Sequence, residues 1–251
     1  MFPLTPTAPG EPALRMQVVV AHPDDETFGC GSLLMHAAAA GAVTSVVCAT
    51  RGEAGETTEG TVVPSGGLGE LREGELREAA RLMDVTDVRV LGFGDSDMSG
   101  ELAAGTLCEV PLDDVVAAVQ AAAEDFGADV LVTLDGTDHR DHRRVRDASE
   151  IVAERLGLPL YAVAIPRSLL QAWVDHQRTV NPDSAYLGIV ELGTPDAELT
   201  HVFDTSELYE RRWEAMRAHR SQTGPFTGLP DDLARAFLCR EYLVELRAPH
   251  P

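Results

Sequence analysis

The stretch VVVAHPDDETFGCG, Val18–Gly31, carries an unbroken run of β-formers straight into a histidine, a proline and three acids. A continuous apolar run of this length reads as a strand covered on both faces, as in a parallel sheet, rather than as the alternating pattern of a half-exposed strand. Charged groups beside such a strand are costly unless they are paired or bound to something. The glycine-bearing segment that follows reads as a helix, so the acids sit at a strand-to-helix turn.

The same strand–helix rhythm continues outward from that turn. Strands are expected at Arg15–Ala21, Val43–Ala49, Val88–Phe93, Asp129–Leu134 and Pro159–Ile165. Helices are expected at Thr27–Gly41, Glu70–Met83, Pro111–Gly127 and His142–Gly157, several of them with an acidic or proline start and a glycine stop. Strict alternation with right-handed crossovers predicts an α/β fold: a doubly wound, mostly parallel, Rossmann-like sheet with helices on both faces. The remainder is less regular. Two β-like pieces, Ser184–Leu192 and Leu199–Thr205, precede a helix over Ser206–Gln222, a short helix near Asp231–Cys239 and a last strand, Arg240–Arg247. These read as a small irregular C-terminal extension of one domain spanning 1–251, with residues 1–14 as a loose N-terminal segment. The loop Arg51–Gly69 and the segment Gln171–Thr205 have no pattern that fixes their conformation.

Composition narrows the partners. A formal charge of −21 disfavours nucleic acid and anionic membranes, which an acidic surface repels. All 20 basic residues are arginine, which excludes a P-loop lysine, a Schiff base and a Ser-Lys dyad. No run approaches the roughly 18 apolar residues of a membrane span, and the N-terminus lacks a signal-peptide pattern. The four cysteines are scattered without a C-x-x-C, as free thiols of a reducing compartment would be, so a cytoplasmic location is expected. GCGS at Gly29–Ser32 lacks the third glycine of a dinucleotide loop, and no G-x-S-x-G is present for a serine hydrolase.

In an open parallel sheet, ligands sit beyond the carboxyl ends of the strands where strand order reverses, between the first and fourth strands in the common orders. HPDDE follows the first strand and DGTDHRDH, Asp135–His142, follows the fourth, so two His/Asp clusters are expected to meet. A catalytic zinc needs three protein ligands and an open position, and imidazole and carboxylate suit it. His22, Asp25 and His142 can face one point. Asp24 then lies beside the metal, placed to take a proton from its bound water. His139 is placed to support an oxyanion, and Asp141 to orient an imidazole.

The pairing of AHPDDE with H-x-D-H resembles the LmbE-like, or PIG-L, zinc-dependent N-deacetylases. CATRGEAGE, LGELREGELREAARLM, VRVLGFGDSDM and RRWEAMRAHRSQTGPF are similar to further family segments, so the resemblance covers most of the chain. It implies one Zn2+ per chain, or another divalent transition metal, held by His22, Asp25 and His142. It implies Asp24 as general base, His139 on the oxyanion or leaving amine, and Asp141 tuning that histidine. Arg72 and Asp95 fall where family members contact the sugar. The implied reaction is removal of an N-acetyl group from an amino-sugar-containing small molecule. The alternatives are a metal-dependent phosphoesterase and a non-catalytic nucleotide-binding module. Oligomeric state is left open. One departure is the charged pair Asp138 and Arg140 around the first histidine of the second motif, where many members have glycine and proline.

Overall fold

A computed structural model describes residues 12–135, 139–182, 187 and 193–248. Seven strands form one sheet in the order β3-β2-β1-β4-β5-β7-β6. The first five are β1 (Arg15–Val20), β2 (Val43–Cys48), β3 (Asp87–Val90), β4 (Val130–Leu134) and β5 (Leu160–Ala164), all parallel. β6 (His201–Asp204) and β7 (Arg240–Arg247) complete the sheet in antiparallel pairing, β7 between β5 and β6. The C-terminal strands therefore extend the main sheet rather than forming a separate appendage. Of the β-like pieces expected before the last helices, the second becomes β6, while Ser184–Leu192 lies largely outside the described residues.

The apolar run of β1 is explained by burial on both sides. Val18 and Val20 enter one core with residues of α2 (Gly31–Ala39), α3 (Leu68–Leu82) and α7 (Tyr209–Met216). Val19 and Ala21 enter the other with residues of α4 (Leu112–Phe126) and α5 (Arg140–Leu156). Successive side chains point to opposite faces, so a strand sandwiched between helices has no polar face to show. α4 follows Pro111, carries Asp113 and Asp114 in its first turn and ends on Gly127 at φ 71°, as charge and chirality prefer.

Two expected helices differ, one helix is additional, and β3 ends at Val90 rather than running to the expected Phe93. The helix expected over Thr27–Gly41 is broken into α1 (Asp25–Phe28) and α2. The break falls at Gly29 and Cys30, where a Cβ on Gly29 would collide with Leu134 Cδ2 at the end of β4. This close approach presses the turn after β1 against the end of the neighbouring strand. The helix expected over Ser206–Gln222 ends at Met216 after a 3-10 turn at Ser206–Leu208, and residues from Arg217 onward fold back as turns. An additional helix, α6 (Arg167–Val180), starts after Pro166 and runs into the Gln171–Thr205 segment left without a pattern. Its Leu169, Leu170 and Trp173 pack in a cluster with Phe237 and Leu238 of α8 (Asp231–Leu238). No helix among the described residues is long and apolar enough to cross a membrane. All four cysteines are free.

Candidate active site

β1 and β4 pair in parallel with Val18 opposite Val132, so the turns that follow them open on the same side of the sheet. His22 to Asp25 leave the end of β1. His139 caps the start of α5, and Asp141 and His142 lie in that helix's first turn. The three imidazoles come together, with ring centroids 4.7 Å apart for His22 and His139, 5.3 Å for His22 and His142, and 5.1 Å for His139 and His142. Asp25 stands between two of them. Its Oδ2 is 3.6 Å from His22 Nδ1 and its Oδ1 is 3.2 Å from His142 Nε2. Its Oδ2 also accepts the His22 backbone N–H at 2.9 Å, which fixes the turn. Burial would push the Asp25 carboxyl up, but His142 and His22 outweigh it and hold it well below the ordinary range.

Behind His22 is a second layer of acids. Its Nε2 is 3.2 Å from Asp141 Oδ2 and 3.6 Å from Asp95 Oδ1. Asp141 is fully buried; its Oδ2 also accepts the Ser96 N–H at 3.0 Å and its Oδ1 the Cys108 thiol at 3.1 Å. Burial depresses the His22 pKa, yet hydrogen bonds with Asp141, Asp25 and Asp95 raise it well above an ordinary histidine. Burial and the Asp141 carboxylate push the Cys108 thiol up to about 11, so it is a hydrogen-bond donor and not a thiolate. The Asp141 carboxylate thus faces His22. His139 meets only its backbone, accepting the Asp141 N–H on Nδ1 at 3.1 Å. That bond leaves the proton of a neutral His139 on Nε2. Burial and the nearby His22 and His142 lower its pKa to about 4, so it is neutral at pH 7.

Asp24 has the unusual backbone φ of 117° and ψ of −32°. Its Oδ2 is 3.1 Å from Arg72 Nη2. Arg72 is not on a solvated helix face: it is 3% exposed, and it also donates to the carbonyls of Gly52 at 2.7 Å and Pro23 at 2.5 Å. Burial pushes the Asp24 carboxyl up against the opposing charge of Arg72, to about 7. Asp95 is likewise enclosed, accepting N–H groups from Ala54 at 3.3 Å and Asp97 at 2.9 Å. Asp138 lies outside the described residues. Arg140 turns onto the carbonyls of Asp97, Ser99 and Gly100, pinning the loop that carries Asp95 and Ser96. Sequence reasoning did not single out Ser96, Cys108 or Glu26. Glu26 had a signal in its place inside HPDDE and Ser96 in its place beside Asp95 in VRVLGFGDSDM; Cys108 had none.

Donor atoms of His22, His139 and His142 lie within 4.8 Å of one another, as do those of His22, Asp95 and Asp141, so either group could hold a metal ion. Both draw on His22, and they are not two independent sites. An imidazole–carboxylate cluster of metal-ligating type, at the carboxyl ends of β1 and β4 in an open α/β sheet, defines the class. The particular family follows from comparison. Residues 17–153 match PIG-L, described as GlcNAc-PI de-N-acetylase, and the chain belongs to that family. It is 32% identical, over 94% of each chain, to the 1D-myo-inositol 2-acetamido-2-deoxy-alpha-D-glucopyranoside deacetylase of Thermobifida fusca (strain YX). It is 34% identical to the enzyme of that name from Salinispora arenicola (strain CNS-205), over 84% of this chain and 77% of the other. A conserved protein of Thermus thermophilus shares the fold, with a TM-score of 0.62 at 22% identity over 95% of this chain and 96% of that one.

Proposed function

We propose that this chain hydrolyses the acetamide of an N-acetylated amino sugar carried by a small molecule, with N-acetylglucosamine joined to inositol as the first substrate to test. The observation that carries this reading is the Asp25 carboxylate set between His22 Nδ1 and His142 Nε2, with Asp24 next to it in the chain. The substrate follows the activity of the similar deacetylase of Thermobifida fusca (strain YX), 94% of whose length this chain covers.

The donor set fits Zn2+, and a carboxylate backs the second nitrogen of His22, as metal-bound imidazoles require. His22, Asp25 and His142 would hold the ion. His139 is left out because its Nδ1 already accepts a hydrogen bond. Bound there, zinc would supply Lewis-acid chemistry, polarising a carbonyl and lowering the pKa of water toward about 7. The chain's own residues do the rest. Asp24, with its pKa near 7, receives the proton of the attacking water. Neutral His139 offers its Nε2–H to the oxygen of the amide carbonyl as charge develops there. The water oxygen bonds to the carbonyl carbon and the C–N bond breaks. Asp24 passes the proton it received to the departing nitrogen, which leaves as the amine while the acetyl group leaves as acetate. Asp141 and Asp95 orient His22. We assign Arg72 to the Asp24 carboxylate rather than to the sugar, because its guanidinium is buried and engaged within the protein.

The test is amine release by zinc-loaded protein from a panel of N-acetylated glycosides, with metal content measured in parallel. Asp24→Ala is expected to keep one zinc per chain and lose at least about 10²-fold in turnover. His142→Ala is expected to lose zinc, and His139→Ala to keep it. Full activity in Asp24→Ala would remove the base assignment. Two ions per chain would favour a two-metal phosphoesterase instead.

A further inference from the structure

A ring of buried side chains closes around Asp24. Its carboxylate is held by Arg72 of α3. Its backbone N–H donates to Glu26 Oε2 at 2.9 Å. The other oxygen of Glu26 is 2.6 Å from His219 Nε2, a contact across 193 residues of sequence, and both side chains are fully buried. Two residues beyond His219, the Ser221 N–H and hydroxyl donate to the two oxygens of Glu75 at 2.9 and 2.7 Å. Glu75 lies on α3, one turn after Arg72, which closes the ring.

The geometry bears on the Asp24 backbone. A φ of 117° at a residue with a Cβ is sparsely populated and persists only where surroundings over-determine it. The carbonyl of Asp24 is fixed by the N–H groups of Thr27 and Phe28 and by the Thr27 hydroxyl. Its N–H is fixed by Glu26. A buried ion pair such as Glu26 with His219 is a poor stabiliser, since apolar residues of similar volume often do as well or better. What such residues could not supply is an acceptor at a defined point beside the Asp24 N–H.

We propose that Glu26, clamped by His219, is a positioning residue that holds the Asp24 turn and so aims its carboxylate, making the segment after α7 part of the catalytic apparatus. This rests on the reading of Asp24 as the base. Glu26→Met removes the acceptor at similar length, His219→Leu removes the clamp, and His219→Gln keeps an N–H donor toward Glu26.

The full-length, zinc-loaded variants are compared for kcat, KM and zinc content. Glu26→Met and His219→Leu are expected to lower kcat by about 10²-fold, the scale of a misplaced reacting group, with KM and zinc content little changed. His219→Gln restores most of the rate. In an Asp24→Ala background neither Glu26→Met nor His219→Leu lowers the residual rate further, because the group they act through is gone. Wild-type kcat in Glu26→Met, equal damage from His219→Gln and His219→Leu, or a full additional loss in the Asp24→Ala background would each overturn the proposal. Full activity in Asp24→Ala alone would instead overturn the base reading, and this one with it. Should His219→Leu fail to fold, Glu26→Met with and without Asp24→Ala decides the question.

Discussion

Replacing Asp141 with asparagine separates two roles for this carboxylate. Family resemblance implies that it tunes His139, whereas its Oδ2 lies 3.2 Å from His22 Nε2. Asparagine is nearly isosteric. With its amide oxygen in place of Oδ2, it still accepts from His22 and from Ser96, and its NH2 group faces the Cys108 sulfur. The change is therefore one of charge. A hydrogen bond to a charged group contributes about 1.5–3 kcal/mol and a neutral one about 0.5–1.5. The difference of about 1–1.5 kcal/mol corresponds to roughly tenfold in zinc affinity. Losses of up to about 100-fold occur when such supporting groups are removed.

Proton competition gives the prediction a second dimension. In the metal-free protein the Asp141, Asp25 and Asp95 carboxylates raise the His22 pKa against the pull of burial, so zinc must displace a proton from His22. Asparagine weakens the hold on that proton as well as on the metal. The affinity deficit of Asp141→Asn is therefore smallest at low pH and widens as pH rises, until His22 is neutral in both proteins. Competition titration against a chelator at about pH 6, 7 and 8.5, values that bracket the ordinary histidine range, measures it. Unchanged zinc affinity at the highest pH together with a large loss of kcat would refute the reasoning and return Asp141 to His139.

Arg72 opposes the burial that raises the Asp24 pKa, so Arg72→Gln moves the acid limb of the kcat/KM profile to higher pH. An unmoved limb would show that Asp24 does not set it. Gly52→Ala is expected to shift the limb in the same direction, because a Cβ there would overlap Arg72 Nη1 at a residue with φ of +66°. His219 has a raised folded pKa, Glu26 overcoming the depression caused by burial. Its charge contributes stability that is fully present below about pH 6.5 and is lost as pH rises through the raised value. The Tm deficit of His219→Gln should accordingly be larger at about pH 6 than at about pH 9, as differential scanning fluorimetry would read; a deficit independent of pH would contradict this.

Of the five parallel strands, β1, β2, β4 and β5 are legible in the sequence because each is a largely apolar run buried on both faces. β3 instead carries Asp87 and Arg89, is only partly buried and ends at Val90, short of the expected Phe93. The break at Gly29 and Cys30 is not legible, because the close approach of Leu134 that leaves no room for a side chain at Gly29 comes from another strand. α6 has apolar residues at helical spacing, Leu169, Leu170, Trp173 and Val174, but only Val174 is buried, and the cluster that Leu169, Leu170 and Trp173 join is built by residues distant in sequence, among them Phe237 and Leu238 of α8. The site divides the same way. Motif spacing brings His22, Asp25, His139 and His142 together on paper, since the strand ends determine where they meet. The orientation of the Asp141 carboxylate depends on Ser96, inside the VRVLGFGDSDM segment but with nothing in its spacing to mark a role, and on Cys108, which belongs to no motif.

Three consecutive acids after a buried strand would be unstable if their charges had to share one environment. Their side chains instead go to three different cations or imidazoles. Asp24 meets Arg72 from α3, Asp25 meets His22 and His142, and Glu26 meets His219 from the chain's far end. Each is costly to unpair, since removing one partner leaves a buried charge uncompensated. The partners also differ in what they leave free. Asp25 presents both oxygens to imidazoles, and Glu26 spends one oxygen on His219 and the other on the Asp24 N–H. Among the described residues, the contacts to the Asp24 side chain are with Arg72 through Oδ2. Of the three acids it is the one whose second oxygen remains available for a proton, which is the property a base needs and a ligand does not.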